Sequence, residues 1–224
     1  LFQSPLYTGR ANIERMLWKP GKLRIRDGNF WLPLIGLYTG MRMGEILYLQ
    51  LSDIQCSNGI WYIDVNKDEA GKKLKNKQSK RQVPIHPDLI ELGFLQYVEG
   101  RKQQMEQGGF IFADGITIPE NQPVTKNYSR NFSDYTVRTG IRSDKDNKEV
   151  FHSFRHNFHD AMDRAGIPNV ITCRITGHLP PKETQTTGDT VYLRNKPSME
   201  VMYAAISKIS YGLDLSHLKI EKVS

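Results

Sequence analysis

The feature that most constrains the fold of this 224-residue chain is an apolar segment at residues 30–38, which the pair Thr39-Gly40 follows. Apolar side chains on every side predict a helix that other elements cover all round, and glycine is a frequent helix terminator. The segment is too short to cross a membrane, which needs about 18 apolar residues, and no other run in the sequence approaches that length. We therefore expect a buried core helix that ends near Thr39-Gly40.

Hydrophobic periodicity predicts further helices around this segment. They are expected at residues 43–50, 87–104, 124–139, 152–165, 169–176 and 198–209. Residues 60–65 are rich in β-branched and aromatic side chains and predict a strand, with a partner strand at residues 81–85. The polar, lysine-rich residues 66–80 between them predict a hairpin arm. The predicted fold class is mainly α with a small antiparallel β-sheet.

The charge balance of the chain is basic, with a formal net charge of +7 and a pI of about 9.3. A basic balance attracts polyanions such as nucleic acid. The two cysteines, Cys56 and Cys173, lie far apart and form no CxxC pair, which disfavours a zinc knuckle and favours a reducing cytoplasm. Residues 1–5 carry neither an initiator Met nor the regions of a signal peptide, so we expect a piece of a longer chain.

An arginine follows the core helix and its Thr-Gly turn. Arg42 lies in the segment Thr39-Gly40-Met41-Arg42-Met43-Gly44-Glu45. Glu45 comes three residues later and can hold the Arg42 side chain on the same helical face. The alternative interpretation is a plain surface ion pair, which contributes little to stability.

A second arginine belongs to the segment His152-Ser153-Phe154-Arg155-His156. His152 and Arg155 are one helical turn apart and project from one face, so both can converge on a phosphate, which guanidinium groups bind bidentately. His156 and His159 follow on the same helix, a spacing that suggests a metal site with Asp160 and Asp163 as further ligands. No HExxH pattern is present, so packing or hydrogen bonding is the preferred interpretation of these two histidines.

Two further candidates lie downstream, and one lies in the hairpin arm. His178 ends the segment Ile175-Thr176-Gly177-His178, and Tyr192 follows a polar stretch that predicts a flexible connection. A lysine carried by the arm, Lys75 or its rival Lys77, can reach a DNA backbone, although a solvated basic hairpin is the simpler interpretation of most lysines there.

Together these segments resemble the tyrosine recombinase (phage integrase) family over about residues 30–192. The matching motifs, in chain order, are TGMRMGEIL, KNKQSKRQVP, HSFRH, ITGH and Tyr192. The resemblance implies the mostly helical DNA breaking-rejoining catalytic fold of that family. The sequence departs from the family pattern after His178, because the gap to Tyr192 is long and contains Pro180 and Pro181. Tyr203 and Tyr211 are therefore fallback nucleophiles.

The resemblance also implies a role for each matching residue. Tyr192 would attack the scissile phosphate and form a 3′-phosphotyrosyl link, while Arg42 and Arg155 would stabilise the developing charge. A free phenol titrates near pH 10, so Tyr192 needs a cationic site or a base.

Three residues would handle protons and the phosphate in this resemblance. Lys75 would protonate the leaving 5′-oxygen, with Lys77 as the rival. His152 would assist proton transfer at the tyrosine, and His178 would donate a hydrogen bond to the phosphate. The expected chemistry uses neither ATP nor a metal, and no cofactor is expected.

The resemblance divides the chain into three parts. Residues 1–28 would be a linker remnant or the start of the catalytic domain, residues 29–210 the catalytic domain, and residues 211–224 a tail that docks on a neighbouring subunit or packs on its own chain. The expected partner is double-stranded DNA, bound by four protomers, with a monomer expected for the isolated domain and no membrane partner. The expected location is the nucleoid in the cytoplasm, for a bacterial or phage-derived protein.

Three alternatives remain open at this stage. A type IB topoisomerase shares the tyrosine chemistry and relaxes supercoils as a monomer without recombination. A DNA-binding module could keep the basic surface and lack catalysis. A metal-dependent nuclease could use the histidine-rich helix, and its activity would be lost in EDTA.

Overall fold

The computed structural model describes residues 1–12, 17–66, 80–105, 109–116, 123–143, 151–178 and 197–220. Helices surround a small sheet in this part of the chain, as the sequence predicts. The α-helices are α1 (Pro5–Thr8), α2 (Gly28–Thr39), α3 (Met43–Leu47), α4 (Pro87–Glu91), α5 (Phe94–Gln104), α6 (Val124–Arg138), α7 (Ser153–Arg164), α8 (Asn169–Thr176) and α9 (Met199–Ile206). The strands are β1 (Ile54–Ser57), β2 (Ile60–Val65) and β3 (Arg81–Pro84).

Helix α2 is the predicted core helix. The Asp27 carboxylate caps its start by accepting a hydrogen bond from the Phe30 amide, and Gly40 ends it in the left-handed conformation with φ +61°. Trp31, Leu32 and their apolar neighbours in this helix are buried against the surrounding helices. Helix α7 packs along α2, and the carbonyl end of α2 thereby lies beside the residues that α7 carries.

The sheet is antiparallel, with the strand order β1-β2-β3. Strand β2 has the predicted bounds, and its Val65 lies opposite Arg81 at the start of β3. Strand β1, in which Ile54 pairs with Ile63, is an addition to the prediction. Its four residues are mostly exposed, so they lack the alternation of apolar and polar side chains by which a strand is recognised.

The single helix predicted at residues 87–104 is wrong, because the chain forms two helices there. Helix α4 ends at Glu91, and Gly93 adopts φ +92° before α5 begins. A Cβ atom at Gly93 would lie 2.0 Å from Cδ1 of Ile220, so the C-terminal tail occupies the space that a side chain would need. Arg26 also donates to the Leu92 carbonyl at 2.5 Å. The break thus lies at a glycine in the left-handed conformation, with tertiary contacts packed around it.

Both ends of the described chain pack on the same core. Phe2, Leu6 and Tyr7 are buried there, and the buried Arg10 pairs with the Asp27 carboxylate at 2.5 Å. In the tail, Leu215 and Leu218 are buried against the chain's own helices, and the Tyr211 hydroxyl donates to the Leu37 carbonyl at 2.6 Å. Among the described helices, none combines the length and the apolar character that a bilayer-spanning segment requires.

Candidate active site

The turn after α2 presents Arg42 at the start of α3. Arg42 is the N-cap residue of α3, and its amide donates to Oε2 of Glu45 at 2.9 Å. Its Nη1 atom pairs with Oε1 of the same carboxylate, also at 2.9 Å. The predicted pairing of Arg42 with Glu45 is confirmed. About a third of the Arg42 side chain, 30%, stays exposed, so the guanidinium is fixed at one edge and open to solvent at the other.

Glu45 is shared with a second arginine that begins strand β3. Nη1 and Nη2 of Arg81 donate to the two carboxylate oxygens of Glu45 at 3.1 and 2.8 Å, which is a bidentate pair. Nε of Arg81 donates to the Ile175 carbonyl at 2.6 Å, in the last turn of α8. Burial raises the pKa of the Glu45 carboxyl, but the bonds and charges of Arg81 and Arg42 outweigh burial and lower the pKa overall.

Arg155 joins two turns through their backbone. Its side chain extends from α7 and is 2% exposed. Nη1 donates to the Gly40 carbonyl at 2.5 Å, and Nη2 donates to the Thr176 carbonyl at 2.7 Å. Gly40 lies two residues before Arg42, and Thr176 lies two residues before His178. The Arg155 guanidinium is thus a brace between the turn that carries Arg42 and the turn that carries His178.

The brace leaves one donor of Arg155 unused. Its Nε atom is buried and has no hydrogen-bond partner within the described residues. Burial, followed by repulsion from Arg42, lowers the pKa of Arg155 to about 10, so the group is cationic at neutral pH. A buried donor of this kind favours an incoming anion, because an acceptor there removes the cost of the unmade bond.

Four histidines lie around the arginines. His152 precedes α7 and its ring contacts the His156 ring, with centroids 4.9 Å apart. The His159 ring contacts the His178 ring, with centroids 5.2 Å apart. Burial, followed by the charge of Arg155, lowers the pKa of His178 to about 4. Burial, then His156 and the two arginines, lowers the pKa of His152 as well, so both imidazoles are neutral at pH 7.

The structure describes four of the six predicted site residues. Arg42, Arg155 and His178 are joined by the backbone contacts above, and His152 is close enough for Arg42 and Arg155 to shift its pKa. Lys75, its rival Lys77, and Tyr192 lie outside the described residues.

The fallback nucleophiles are both described. Tyr203 is half-buried on α9 and packs against the core. Tyr211 donates its hydroxyl to the Leu37 carbonyl, and burial raises its pKa. Raising that pKa makes the Tyr211 phenolate harder to form, so the surroundings of Tyr211 disfavour it as the nucleophile.

The histidine-rich helix brings together no metal-ligand set in the described part of the chain. No group of three or more His, Cys, Asp or Glu side chains there could hold a metal ion. His152 pairs with His156, whereas His159 turns to His178 on another element.

Arg81 is a site residue that the sequence analysis did not identify, and its pairing with Glu45 is seen only in the structure. Arg81 follows a lysine-rich run and was predicted only as the first residue of a strand. The usable signal was its register: Arg81 and Val83 share one face of β3 and both are buried, whereas Gln82 between them is exposed. An arginine at an inward strand position needs a buried partner, and Glu45 is that partner.

The assembled cluster suits a phosphate diester. Arg42 and Arg81 pair with the Glu45 carboxylate, and Arg155 lies close enough for Glu45 to affect its pKa. These three guanidinium groups and this carboxylate together carry a net positive charge. Cations placed in a partly dry site stabilise negative charge more strongly than they would in water. Two neutral imidazoles at its rim add groups that can accept or donate a proton.

The fold is mainly helical with a small antiparallel sheet, and the arginine cluster lies where the turns after α2 and α8 are joined. Residues 10–198 match the model of the phage integrase family, and the chain belongs to that family. No curated protein sequence matches the chain.

A comparison with solved structures finds similar chains, one of them with a TM-score above 0.5. An integrase from mycobacterium phage Brujita superposes with a TM-score of 0.51 at 15% identity, covering 88% of this chain and 57% of that one. A XerH site-specific recombinase bound to its difH substrate gives a TM-score of 0.49 at 19% identity, covering 76% of this chain and 45% of that one. A XerA recombinase gives 0.46 at 20% identity, covering 73% and 55%. The chain thus spans about half the length of these structures.

Proposed function

We propose that this chain carries the catalytic site of a site-specific tyrosine recombinase or integrase. In the proposed step, the Tyr192 oxygen attacks the scissile phosphorus, the bond to the 5′-oxygen breaks, and a 3′-phosphotyrosyl link forms. The leaving 5′-oxygen takes a proton from Lys75, with Lys77 as the rival donor. Attack by a 5′-hydroxyl on the phosphotyrosine reverses the step on a new strand, so the bond energy is kept and neither ATP nor metal is consumed.

The observation that carries the proposal is the Arg155 brace. Three sequence motifs that are far apart in the chain meet at this one guanidinium, through the carbonyls of Gly40 and Thr176. A side chain that is 2% exposed and bonded to two separate turns is not a solvated helix arginine, which was the simpler interpretation of Arg155. The family match over residues 10–198 supports the same chemistry independently.

Charge at the reacting phosphate is assigned to the two predicted arginines. The open edge of Arg42 faces solvent, from which a phosphate approaches, and the unpartnered Nε of Arg155 supplies a buried donor. Arg155 stays cationic at neutral pH. Both arginines are held in place before substrate arrives, which lowers the reorganisation needed in the transition state.

Proton transfer is assigned to groups whose protonation state fits the task. The lowered pKa of His152 keeps its imidazole neutral, so it can accept the Tyr192 proton. His178 is neutral for the same reason and donates through its N–H to a phosphate oxygen.

The proposed partner is double-stranded DNA. The net charge of +7 favours association with the phosphate backbone. One of the similar structures, XerH, is described in complex with its substrate, a pre-cleavage complex. We assign strand exchange to four protomers on two duplexes, with the isolated chain monomeric, working on the nucleoid in the cytoplasm of a bacterium.

The experiment that tests the proposal is covalent trapping. Duplexes that bind the chain are first selected from a random-sequence pool at low salt, because phosphate contacts weaken steeply as salt rises. Each selected duplex is then nicked beside the expected cleavage position, so that the 5′-hydroxyl fragment diffuses away and the covalent complex accumulates. Peptide mass spectrometry identifies the residue that carries DNA.

We expect a 3′-phosphotyrosyl adduct on Tyr192, formed in EDTA and absent in Tyr192→Phe, which should bind the same duplex with unchanged affinity. An adduct on Tyr203 or Tyr211 would keep the reaction and overturn the nucleophile. Binding without any adduct in the unaltered chain would favour a DNA-binding module. Relaxation of a supercoiled plasmid without joined products would favour a topoisomerase.

A further inference from the structure

His159 has no role in the proposed reaction, but its ring packs against that of His178. His159 lies on α7 one turn beyond Arg155, and His178 follows the glycine that ends α8. Their ring centroids are 5.2 Å apart and the ring planes are inclined by 31°. The pair therefore links two elements at the edge of the arginine cluster, through side chains rather than backbone.

The backbone of His178 is already fixed, whereas among the described residues its ring is held only by the His159 ring. The amides of Gly177 and His178 both donate to the Cys173 carbonyl, at 2.8 and 3.0 Å, which closes the end of α8. Arg81 fills the space beneath Gly177, since a Cβ there would lie 3.0 Å from its Nη1 atom. The His178 ring is exposed and makes no hydrogen bond to the described residues, so the His159 ring is its defined contact.

Histidine is an unfavourable choice at position 159 if packing is the whole purpose. The Nε2 atom of His159 is buried and has no hydrogen-bond partner in the described part of the chain. A buried nitrogen without a partner costs free energy that a phenylalanine or leucine would avoid. A flat ring at this position does, however, give the His178 imidazole a surface to lie against.

The surroundings keep both rings neutral. Burial lowers the pKa of His159, and the cations and histidines near it lower the pKa further, whereas Asp160 opposes them. Arg155, His159, Arg42 and His152 act in the same direction on His178. Two neutral imidazoles pack without repulsion, whereas two imidazolium rings at this distance would repel each other.

We propose that His159 is a positioning residue for His178: its ring, carried by rigid α7, packs against the His178 imidazole and aims the His178 N–H at a phosphate bound between Arg42 and Arg155. This inference rests on the proposed role of His178. Fixing the ring before binding removes the entropy cost of immobilising an exposed side chain when the phosphate arrives.

The test follows the histidine side chains by NMR, with inorganic phosphate as the probe and no DNA. In the unaltered chain, we expect a ring-to-ring Overhauser effect between His159 and His178 and a low pKa for His178. His159→Ala should raise the pKa of His178 toward its ordinary value of 6.5, because loss of the packed ring opens the imidazole to water. The same variant should weaken the phosphate response of His178 by about three- to ten-fold, the range for immobilising one side chain.

Two further variants make the result specific. His159→Phe keeps a flat ring and should retain both the low pKa of His178 and most of the phosphate response. His156→Ala removes a histidine of the same helix whose ring contacts His152 instead, and it should leave the His178 pKa unchanged. An unchanged His178 in His159→Ala, or equal losses in the Phe and Ala variants, would overturn the inference.

This test is separate from that of the proposed function. The NMR readout needs no cleavage, so it can succeed in a chain that forms no tyrosyl adduct. Conversely, adduct formation at Tyr192 with an indifferent His159→Ala would leave the recombinase chemistry standing and remove only the positioning role.

Discussion

One carboxylate, that of Glu45, sits at the centre of the charged site. It accepts from the Arg42 amide and side chain and from both terminal nitrogens of Arg81. The Glu45 side chain is 6% exposed and that of Arg81 is 1% exposed. Removing the negative charge of Glu45 therefore leaves the Arg81 guanidinium buried without its counter-ion. The Glu45 charge therefore contributes far more to the free energy of unfolding than the charge of an exposed carboxylate does.

Glu45→Gln should reduce the free energy of unfolding by about 3 kcal/mol at pH 7, the size expected when a buried pair loses one charge. Because the pKa of Glu45 is lowered in the folded chain, its contribution is complete above the ordinary value of 4.5 and is lost as the pH falls through the lowered pKa. Urea unfolding at several pH values should show the gap between the two chains closing in acid.

The matched control is Asp134→Asn, because the Asp134–Arg138 pair is exposed, with 49% of each side chain accessible. Its loss should cost less than about 1 kcal/mol. A Glu45→Gln variant as stable as this control at pH 7 would contradict the view that the carboxylate holds the cluster together.

At the scale of elements, the end of α2 is the joint on which the site depends. Gly40 has φ +61°, and a Cβ atom there would lie 2.7 Å from Cδ1 of Phe158 on α7. Its carbonyl is also one of the two that Arg155 holds. The glycine thus permits a left-handed turn, a close helix contact and a buried hydrogen bond at one position.

Gly40→Ala should lower the unfolding free energy by about 1–2 kcal/mol for the left-handed backbone and by about 1–3 kcal/mol more for the contact with Phe158. Gly59→Ala is the control, since Gly59 has φ +77° and nothing within 4 Å of the added atom. The difference between the two variants in urea isolates the contact. Equal losses would mean that Phe158 moves away freely.

The sequence predicted those elements whose signals are local. The bounds of β2 and α8 and the end of α2 follow from β-branched residues and from the glycines that stop each helix. The break between α4 and α5 lies at Gly93, a local signal that the amphipathic pattern of residues 87–104 hid, and the contacts of Ile220 and Arg26 there are seen only in the fold. Strand β1 was not predicted because most of its side chains are exposed.

The contacts of the site divide in the same way, into local ones that the spacing predicts and tertiary ones that it does not. The pairing of Arg42 with Glu45 is a contact within one helical turn, which spacing alone predicts. The bonds from Arg81 to Glu45 and from Arg155 to Gly40, and the contact of His159 with His178, join residues brought together only by folding. The motifs gave the residue types, and the tertiary structure gave their partners.

At the scale of the whole molecule, the two ends of the described chain close on each other. The His217 ring nitrogen donates to the Phe2 carbonyl at 2.9 Å, and Arg26 donates to the Leu218 carbonyl. Lys219 pairs with Glu91 at 2.8 Å. The segment 211–220 therefore packs on its own chain, and docking on a neighbouring subunit, which we propose for the assembled complex, requires these contacts to be exchanged.

Leu218→Ala tests how much this packing stabilises the fold. Leu218 is 1% exposed, so truncation should cost about 2–5 kcal/mol, the range for a buried leucine. Leu213→Ala, at a side chain that is 48% exposed, should change stability by no more than about 0.5 kcal/mol. Urea midpoints of the two variants compare them directly, and a negligible effect at Leu218 would mean that the tail is held too weakly to matter.

The use of main-chain oxygens by Arg155 and Arg81 has a consequence for how such a site can change over generations. Every amino acid supplies a main-chain carbonyl, so the contacts at Thr176 and Ile175 do not depend on which side chains these positions carry. They depend on the number of residues between the contact positions and the site residues. A one-residue insertion between Gly40 and Arg42 would leave every motif residue present while shifting Arg42 relative to the brace. Lineages that keep this site should therefore exchange side chains at positions such as Ile175 and Thr176, but keep Gly40 and accept almost no insertions or deletions in the two turns.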